Sequence, residues 1–218
     1  MTSLIRSRRS AEPTPVTDSQ PPSKSKPRRP RDRYELKQPD QSNAYRSPWT
    51  RREQIGIKSF ALVWLILCRW TPGPANFWRL MILRVFGCRI QGRPFVAPSA
   101  RIRVPWQLEM HDRACIGDGA EIYNLGECIL RARCTVAQHG YLCGGSHDLS
   151  KRALPLIVAP IDVGEDAFLG ARVFVMPGVV IGEGAVVGAA SVVVRDILPW
   201  TIVVGNPASP VGMRSFVD

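Results

Sequence analysis

Val163-Gly-Glu-Asp-Ala-Phe-Leu169-Gly-Ala-Arg-Val-Phe-Val175-Met-Pro-Gly-Val-Val-Ile181-Gly-Glu-Gly-Ala-Val-Val187-Gly-Ala-Ala-Ser-Val-Val193 repeats one short unit. Val163, Leu169, Val175, Ile181, Val187 and Val193 stand six apart without a break, and glycine follows four of them, at Gly164, Gly170, Gly182 and Gly188. Four positions after each of the first five comes a small or β-branched residue: Ala167, Val173, Val179, Ala185 and Ser191. An amphipathic helix spaces its apolar residues by three and four, and a half-buried strand by two. A strict six fits neither. It fits a short strand and a turn repeated around a coil. Each unit spans roughly 20 Å at an extended rise and buries its apolar residue against neighbours in the stack.

The period continues upstream less cleanly. Val96, Ile102 and Leu108 keep it, Ile116 and Ile122 follow after a shift of register, and Leu130, Val136 and Leu142 resume it. The expected fold is an all-β coil of hexapeptide repeats over residues 94–214, with a loop inserted at about 143–160. Cys128 and Cys134, six apart, are expected at equivalent small core positions on successive faces. The six cysteines form no CxxC pair, and no apolar stretch follows the basic N-terminus closely. Both features suit a reducing, cytoplasmic setting.

The chain has 218 residues and a formal charge of +11, room for one sizeable domain plus appendages. The charge is uneven. Residues 1–52 carry 13 Lys/Arg against 5 Asp/Glu, a surplus of +8, whereas residues 53–218 carry 16 against 13. Nucleic-acid binding by the fold would need a basic patch there, so no nucleic-acid partner is expected. Pro21, Pro22, Pro27 and Pro30 among Ser, Lys and Arg make residues 1–52 too polar to bury a core. They read as a disordered arm, either a solvated tail or an attraction to an anionic surface.

Residues 53–93 differ again. Phe60 to Cys68 is unbroken apolar sequence, too short to cross a bilayer. Thr71-Pro-Gly-Pro74 breaks it, and Ala75 to Phe86 follows with apolar residues at helical spacing. Two short helices are expected. They cap the end of the repeat stack, or lie on a membrane surface through Trp64, Trp70, Trp78 and the neighbouring arginines, and the two roles are not exclusive.

Between Leu142 and Val163 the period lapses, and the interruption holds His147. A loop pushed out of a repeat stack is a common seat of function. An imidazole there is either a surface residue or a base able to take a proton from an attacking hydroxyl.

Repeats, loop and C-terminal end together resemble the hexapeptide-repeat acyltransferases, and within them the colanic-acid-type polysaccharide O-acetyltransferases. The resemblance rests on Val104-Pro-Trp-Gln-Leu-Glu109, Glu121-Ile-Tyr-Asn-Leu-Gly-Glu127, Tyr141-Leu-Cys-Gly-Gly-Ser-His-Asp148 and Val204-Gly-Asn-Pro-Ala208, and covers roughly residues 55–214. It implies a left-handed parallel β-helix with eighteen residues per coil, assembled as a homotrimer with active sites between subunits. It implies acetyl-CoA as co-substrate, no metal, and a sugar or lipid-linked oligosaccharide as acceptor. His147 matches the family's general base, and Asn124 an asparagine near the acetyl group, where an amide donor suits a developing oxyanion. As a turn asparagine it needs no such role. Tyr123, Ser146, Asp148 and the loop residues 151–156 would line the acceptor cleft. Phe168, Gly170, Ala171 and Ala189 match the pantetheine site, Val194 and Arg195 the adenosine and phosphates, and Asn206 and Pro207 the closing turn. Ser209 and Gly212 stand where basic residues are common, which shifts the phosphate contact to Arg195 and Arg214, with Arg172 weaker. Two other classes stay open. One is a non-catalytic trimeric scaffold. The other is a metal-dependent carbonic anhydrase on the same fold, which needs three convergent imidazoles and would draw on His111 and His139.

Overall fold

The computed structural model describes residues 33–38, 40 and 47–215. Strand β1 (Glu35–Gln38) precedes helix α1 (Arg51–Val63), which runs on through a π-helical turn to Cys68; helix α2 (Asn76–Val85) follows. The coils come next. The first holds β2 (Arg89–Ile90), β3 (Phe95–Val96) and β4 (Arg101–Ile102), and the second β5 (Leu108–Met110), β6 (Cys115–Ile116) and β7 (Glu121–Tyr123). The third holds β8 (Cys128–Leu130), β9 (Thr135–Val136) and β10 (Tyr141–Cys143). A hairpin of β11 (Gly145–His147) and β12 (Leu156–Val158) interrupts the stack. It resumes with β13 (Ile161–Val163), β14 (Phe168–Leu169) and β15 (Phe174–Val175), then β16 (Val180–Ile181), β17 (Val186–Val187) and β18 (Val192–Val193). The closing antiparallel pair is β19 (Thr201–Val204) and β20 (Ser209–Met213).

Each coil visits three parallel sheets in turn. Face I is β2-β5-β8-β13-β16, face II runs from β3 to β19 with β20 at its edge, and face III is β4-β7-β10-β15-β18. The six-residue register is the interior: Val163, Leu169, Val175, Ile181, Val187 and Val193 are fully buried. The small residue two positions before each turns the corner inside the coil. Cys128 and Cys134 take that place on faces I and II, as their spacing suggested, and both are buried. The glycine after the apolar residue has a steric cause. A Cβ on Gly164 would lie 2.6 Å from the Glu183 backbone nitrogen, and one on Gly182 2.4 Å from that of Pro199. Coils stack closer there than a side chain allows.

The coil length differs from the eighteen residues implied. Ile90 pairs with Met110 and Met110 with Leu130, twenty apart; Val163 pairs with Ile181, eighteen apart; Val187 pairs with Val203, sixteen apart. The register shift also sits elsewhere. Met110, not Leu108, is in phase with Ile116, and both Leu108 and Met110 are buried. The two extra residues of coils one and two fall on the edge between faces III and I, at 103–107 and 123–127. The inserted hairpin leaves the stack at that same edge, so three successive coils are widened there.

The helices cap the open end. Phe60, Trp64, Cys68, Leu80 and Leu83 join one apolar cluster with Val96 and Ile102 of the first coil. With β2 already in face I, the cap ends at about residue 88 rather than 93. Arg79, fully buried, ties cap to coil: its guanidinium donates to the carbonyls of Val96 (2.8 Å), Pro72 (2.9 Å) and Gly73 (3.0 Å) and to the Thr71 hydroxyl (2.8 Å). Burial lowers its pKa, yet an arginine stays charged in proteins. Arg79→Met would strand several buried acceptors at once. We expect it to cost about 2–3 kcal/mol, read as a lowered midpoint in urea unfolding.

Part of the segment expected to be a disordered arm is ordered. β1 pairs antiparallel with β12 and makes a three-stranded sheet with β11. Trp49 is buried with Ile57, Val104, Leu125, Leu156 and Val158. Composition misses this because the strand gains its hydrogen bonds from the inserted hairpin, not from apolar side chains of its own. Residues 1–32, 39 and 41–46 lie outside the described residues.

Candidate active site

The widened edge between faces III and I is built on Asn124. Its side chain is buried, its Oδ1 accepting from Val104 N–H (3.0 Å) and its Nδ2 donating to Val104 O (2.7 Å). The amide thus supplies the two ladder bonds that the bulged corner cannot make between its own backbones. The Gln107 amide reaches the Asn124 carbonyl at 2.9 Å, and Gly144 N–H donates to Tyr123 O at 2.8 Å. Three corners are stacked in this way beneath the hairpin. Asn124 is therefore spent on backbone, and the structure does not present its N–H groups to solvent as an oxyanion donor would require. Its side chain holds together the corner beneath the hairpin.

The hairpin leaves this platform through Gly144. A Cβ there would sit 2.9 Å from Leu125 N and 3.0 Å from Tyr123 O. His147 ends β11, opposite Leu156, and is half-buried. Its Nδ1 lies 3.2 Å from Leu154 O. A carbonyl only accepts, so Nδ1 carries the hydrogen, and in the neutral ring Nε2 keeps its lone pair. That is the arrangement a general base requires. Leu154 reaches it with φ of 43°, left-handed backbone that a leucine rarely adopts. Asp148 organises the tip of the loop. Its Oδ1 accepts from Ser150 Oγ (2.6 Å) and N–H (3.1 Å), and Lys151 Nζ lies 3.5 Å from Oδ2. The Ser150 hydrogen bonds hold its carboxyl below the usual range. Ser146 sits between Gly145 and His147, half-buried.

Tyr123 borders the same edge. It stacks on Tyr141 (centroids 6.1 Å apart), which stacks on Phe174 (5.0 Å), an aromatic row down face III. Burial pushes the Tyr141 phenol up to about 12. Cys143 donates to Gly145 O at 3.1 Å, and burial raises its thiol. A thiolate nucleophile is not favoured at this edge.

A hexapeptide-repeat model, described as "Hexapeptide repeat of succinyl-transferase", matches residues 160–195. The protein named "Putative colanic acid biosynthesis acetyltransferase WcaF" of Escherichia coli (strain K12) is 40% identical over 154 residues, 71% of this chain and 85% of that protein. The chain belongs to the hexapeptide-repeat acetyltransferases. The maltose O-acetyltransferase from Clostridium difficile 630 shares the fold with a TM-score of 0.66 at 19% identity, over 77% of this chain and 90% of that one. So does the hexapeptide-repeat acetyltransferase VCA0836 of Vibrio cholerae O1 biovar eltor, solved with acetyl-CoA, with a TM-score of 0.62 at 20% identity over 77% and 91%.

The residues matched to acetyl-CoA in this acetyltransferase occupy three different edges. Gly170, Ala171 and Ala189 stack on the edge between faces II and III, where Ala190 N–H donates to Ala171 O at 2.8 Å. Phe168, 43% exposed on face II, and the exposed Asn206-Pro207 turn border that edge. Val194 and Arg195 follow β18 and belong to the hairpin's edge instead. Arg214 is on the third. Its guanidinium donates to Asp166 O (2.6 Å) and Gly184 O (3.3 Å), stapling the C-terminal strand to the edge between faces I and II. The phosphate role assigned to Arg214 is thus not supported by its placement. The three histidines are equally dispersed. His111, paired with Glu109 at 2.7 Å, lies between faces I and II, His139 between II and III, and His147 on the hairpin. Within one chain they cannot converge, and no group of three metal-ligating side chains occurs among the described residues.

Sequence reasoning missed β1, which pairs with the hairpin strand β12. β1 carries no alternation of its own, and its Glu35 and Lys37 line a cleft of about 290 Å³ with Gln107 and Glu127. The entry into α1 was readable. Thr50 and Glu53 form a capping box, each side chain bonding the other's backbone N–H.

Proposed function

We propose that this acetyltransferase moves an acetyl group from acetyl-CoA to a sugar hydroxyl in exopolysaccharide assembly, with His147 as general base. The observation that carries the reading is the Nδ1 contact to Leu154 O, which leaves Nε2 able to accept a proton. Nε2 takes the proton of the acceptor hydroxyl as its oxygen attacks the thioester carbon. The C–O bond forms and the C–S bond breaks. The imidazolium then returns the proton to the departing sulfur, giving free CoA thiol and the O-acetyl sugar. No acyl-enzyme is needed. The outer edge between faces II and III, with Phe168, Ala171 and Ala189, suits the pantetheine arm, and Arg195 on the hairpin's edge and Arg172 on the pantetheine edge are the remaining cations for phosphate.

The acceptor is a sugar or a lipid-linked oligosaccharide. The working form is a homotrimer, as cyclic closure of a flat-sided coil favours, at the cytoplasmic face of the membrane. The reading is tested with the full chain, acetyl-CoA and a panel of polysaccharide repeat units, free and lipid-linked. We expect CoA release matched by O-acetyl product on at least one saccharide, unchanged by EDTA. Acceptor-independent hydrolysis alone, or CO₂ hydration lost on chelation, would overturn it.

A further inference from the structure

The outer side of the helical cap faces away from the coil and is apolar. Leu62, Leu65 and Ile66 on the first helical segment and Phe77, Met81 and Val85 on α2 are all exposed, and Trp70 in the turn between them is 81% exposed. The Trp78 indole donates to Leu67 O at 3.0 Å and joins the two helical edges. Water-facing surface of this kind marks a contact site, and charge identifies what it contacts. Residues 54–108 hold eight Lys/Arg and no Asp/Glu, whereas residues 109–218 hold 8 Lys/Arg and 12 Asp/Glu. The folded domain is nearly neutral only as a sum. Its cap end is strongly positive and its remaining coils are negative.

The cations border the apolar face. Lys58 and Arg84 lie on it at helical spacing with Leu62 and Met81, and neither makes an ion pair among the described residues. Arg69, Arg101 and Arg103 line a groove of about 520 Å³ between α1 and the first coil, with Trp64, Leu65 and a single acid, Glu121. Glu121 is 3.8 Å from Arg101, so the groove stays net positive. Trp64 is buried, and its indole N–H has no acceptor among the described residues. An indole donor and guanidinium groups beside apolar walls fit an anionic phosphate oxygen carried on a hydrocarbon. No helix of the described residues is long and apolar enough to cross a membrane.

We propose that the α1–α2 face docks on an anionic lipid surface. Trp70 and Phe77 enter the boundary between headgroups and acyl chains, and the cap cations meet lipid phosphates. The negative coils then point away from the membrane. In giving the transferase access to lipid-carried acceptors, the proposal rests on the function proposed above; its test is separate from activity.

The test is co-flotation of the full chain with phosphatidylglycerol-containing vesicles and with phosphatidylcholine vesicles. We expect binding to the anionic vesicles that weakens with salt. Trp70→Ser with Phe77→Ser should reduce it by more than about tenfold, and Lys58→Gln with Arg84→Gln should flatten its salt dependence. Soluble-acceptor acetylation and oligomer mass should be unchanged in both. Two results would overturn the proposal. One is flotation untouched by these variants, which assigns binding to the N-terminal arm. The other is a fall in oligomer mass in the Ser variant, which makes the face a contact between copies. Flotation with no acetyl transfer to any saccharide would remove the proposed function and leave the docking intact.

Discussion

His147→Ala is expected to lower turnover by roughly 10²–10⁴-fold, the usual contribution of a positioned general base, with acetyl-CoA affinity and assembly near wild type. The reasoning is geometric. His147 contributes nothing to the buried interior of the coil, being half-buried at the end of β11, and the only side-chain hydrogen bond it makes among the described residues is Nδ1 to Leu154 O at 3.2 Å. Its loss removes the proton acceptor and one loop contact. His147→Gln separates these effects. An amide nitrogen can still donate to Leu154 O but cannot take a proton, so the glutamine variant should be as slow as the alanine one. Steady-state kinetics with a true acceptor, and acetyl-CoA titration of both variants, check it. Wild-type turnover in either variant would take His147 out of the chemistry.

The coil was readable because its defining signal is local. Each six-residue unit states its own inward residue, and the Gly164 and Gly182 positions record how closely the next coil approaches. The lapse of period after Leu142 likewise marks where the hairpin leaves. What could not be read was set between distant segments. Asn124 looks like a catalytic amide by its place in Tyr-Asn-Leu-Gly, yet Val104, twenty residues earlier, claims both ends of its side chain. Arg214 looks like a phosphate ligand by its place after the closing turn, yet carbonyls of Asp166 and Gly184 claim its guanidinium. Summed charge hid the division between a positive cap and negative coils. The arm's composition hid β1, since Glu35-Leu-Lys-Gln38 carries one apolar residue and Leu36 is exposed.

Deleting residues 1–40 should therefore lower turnover on a soluble acceptor by on the order of 10²-fold, the scale of an ångström-level misplacement of a catalytic group. Composition would make this arm dispensable; its contacts do not. β12 is the centre of a three-stranded sheet, with β1 on one side and the His147-bearing β11 on the other. Without β1 a two-stranded hairpin remains, and such hairpins are marginal in water. Arg33 fastens the strand at its start, gripping Asp196 with both terminal guanidinium nitrogens, Nη1 and Nη2, at 2.8 and 2.9 Å and reaching Gly178 O, on the same edge as the hairpin. Lys37 lies 4.3 Å above the Trp49 ring, which is buried under the hairpin with Leu156 and Val158. The loss should appear in kcat, with pantetheine binding kept, because the strand is anchored at Gly178 and Asp196 on the hairpin's edge, whereas Phe168, Ala171 and Ala189 border the edge between faces II and III. Amide exchange across residues 145–158 should speed up in the truncated chain, and Arg33→Ala in the full chain should move both readouts the same way by a smaller amount. If the truncated enzyme keeps wild-type kcat and slow exchange in the hairpin, β11 and β12 hold His147 without the strand, and the ordering of the base falls to the Asn124 platform alone.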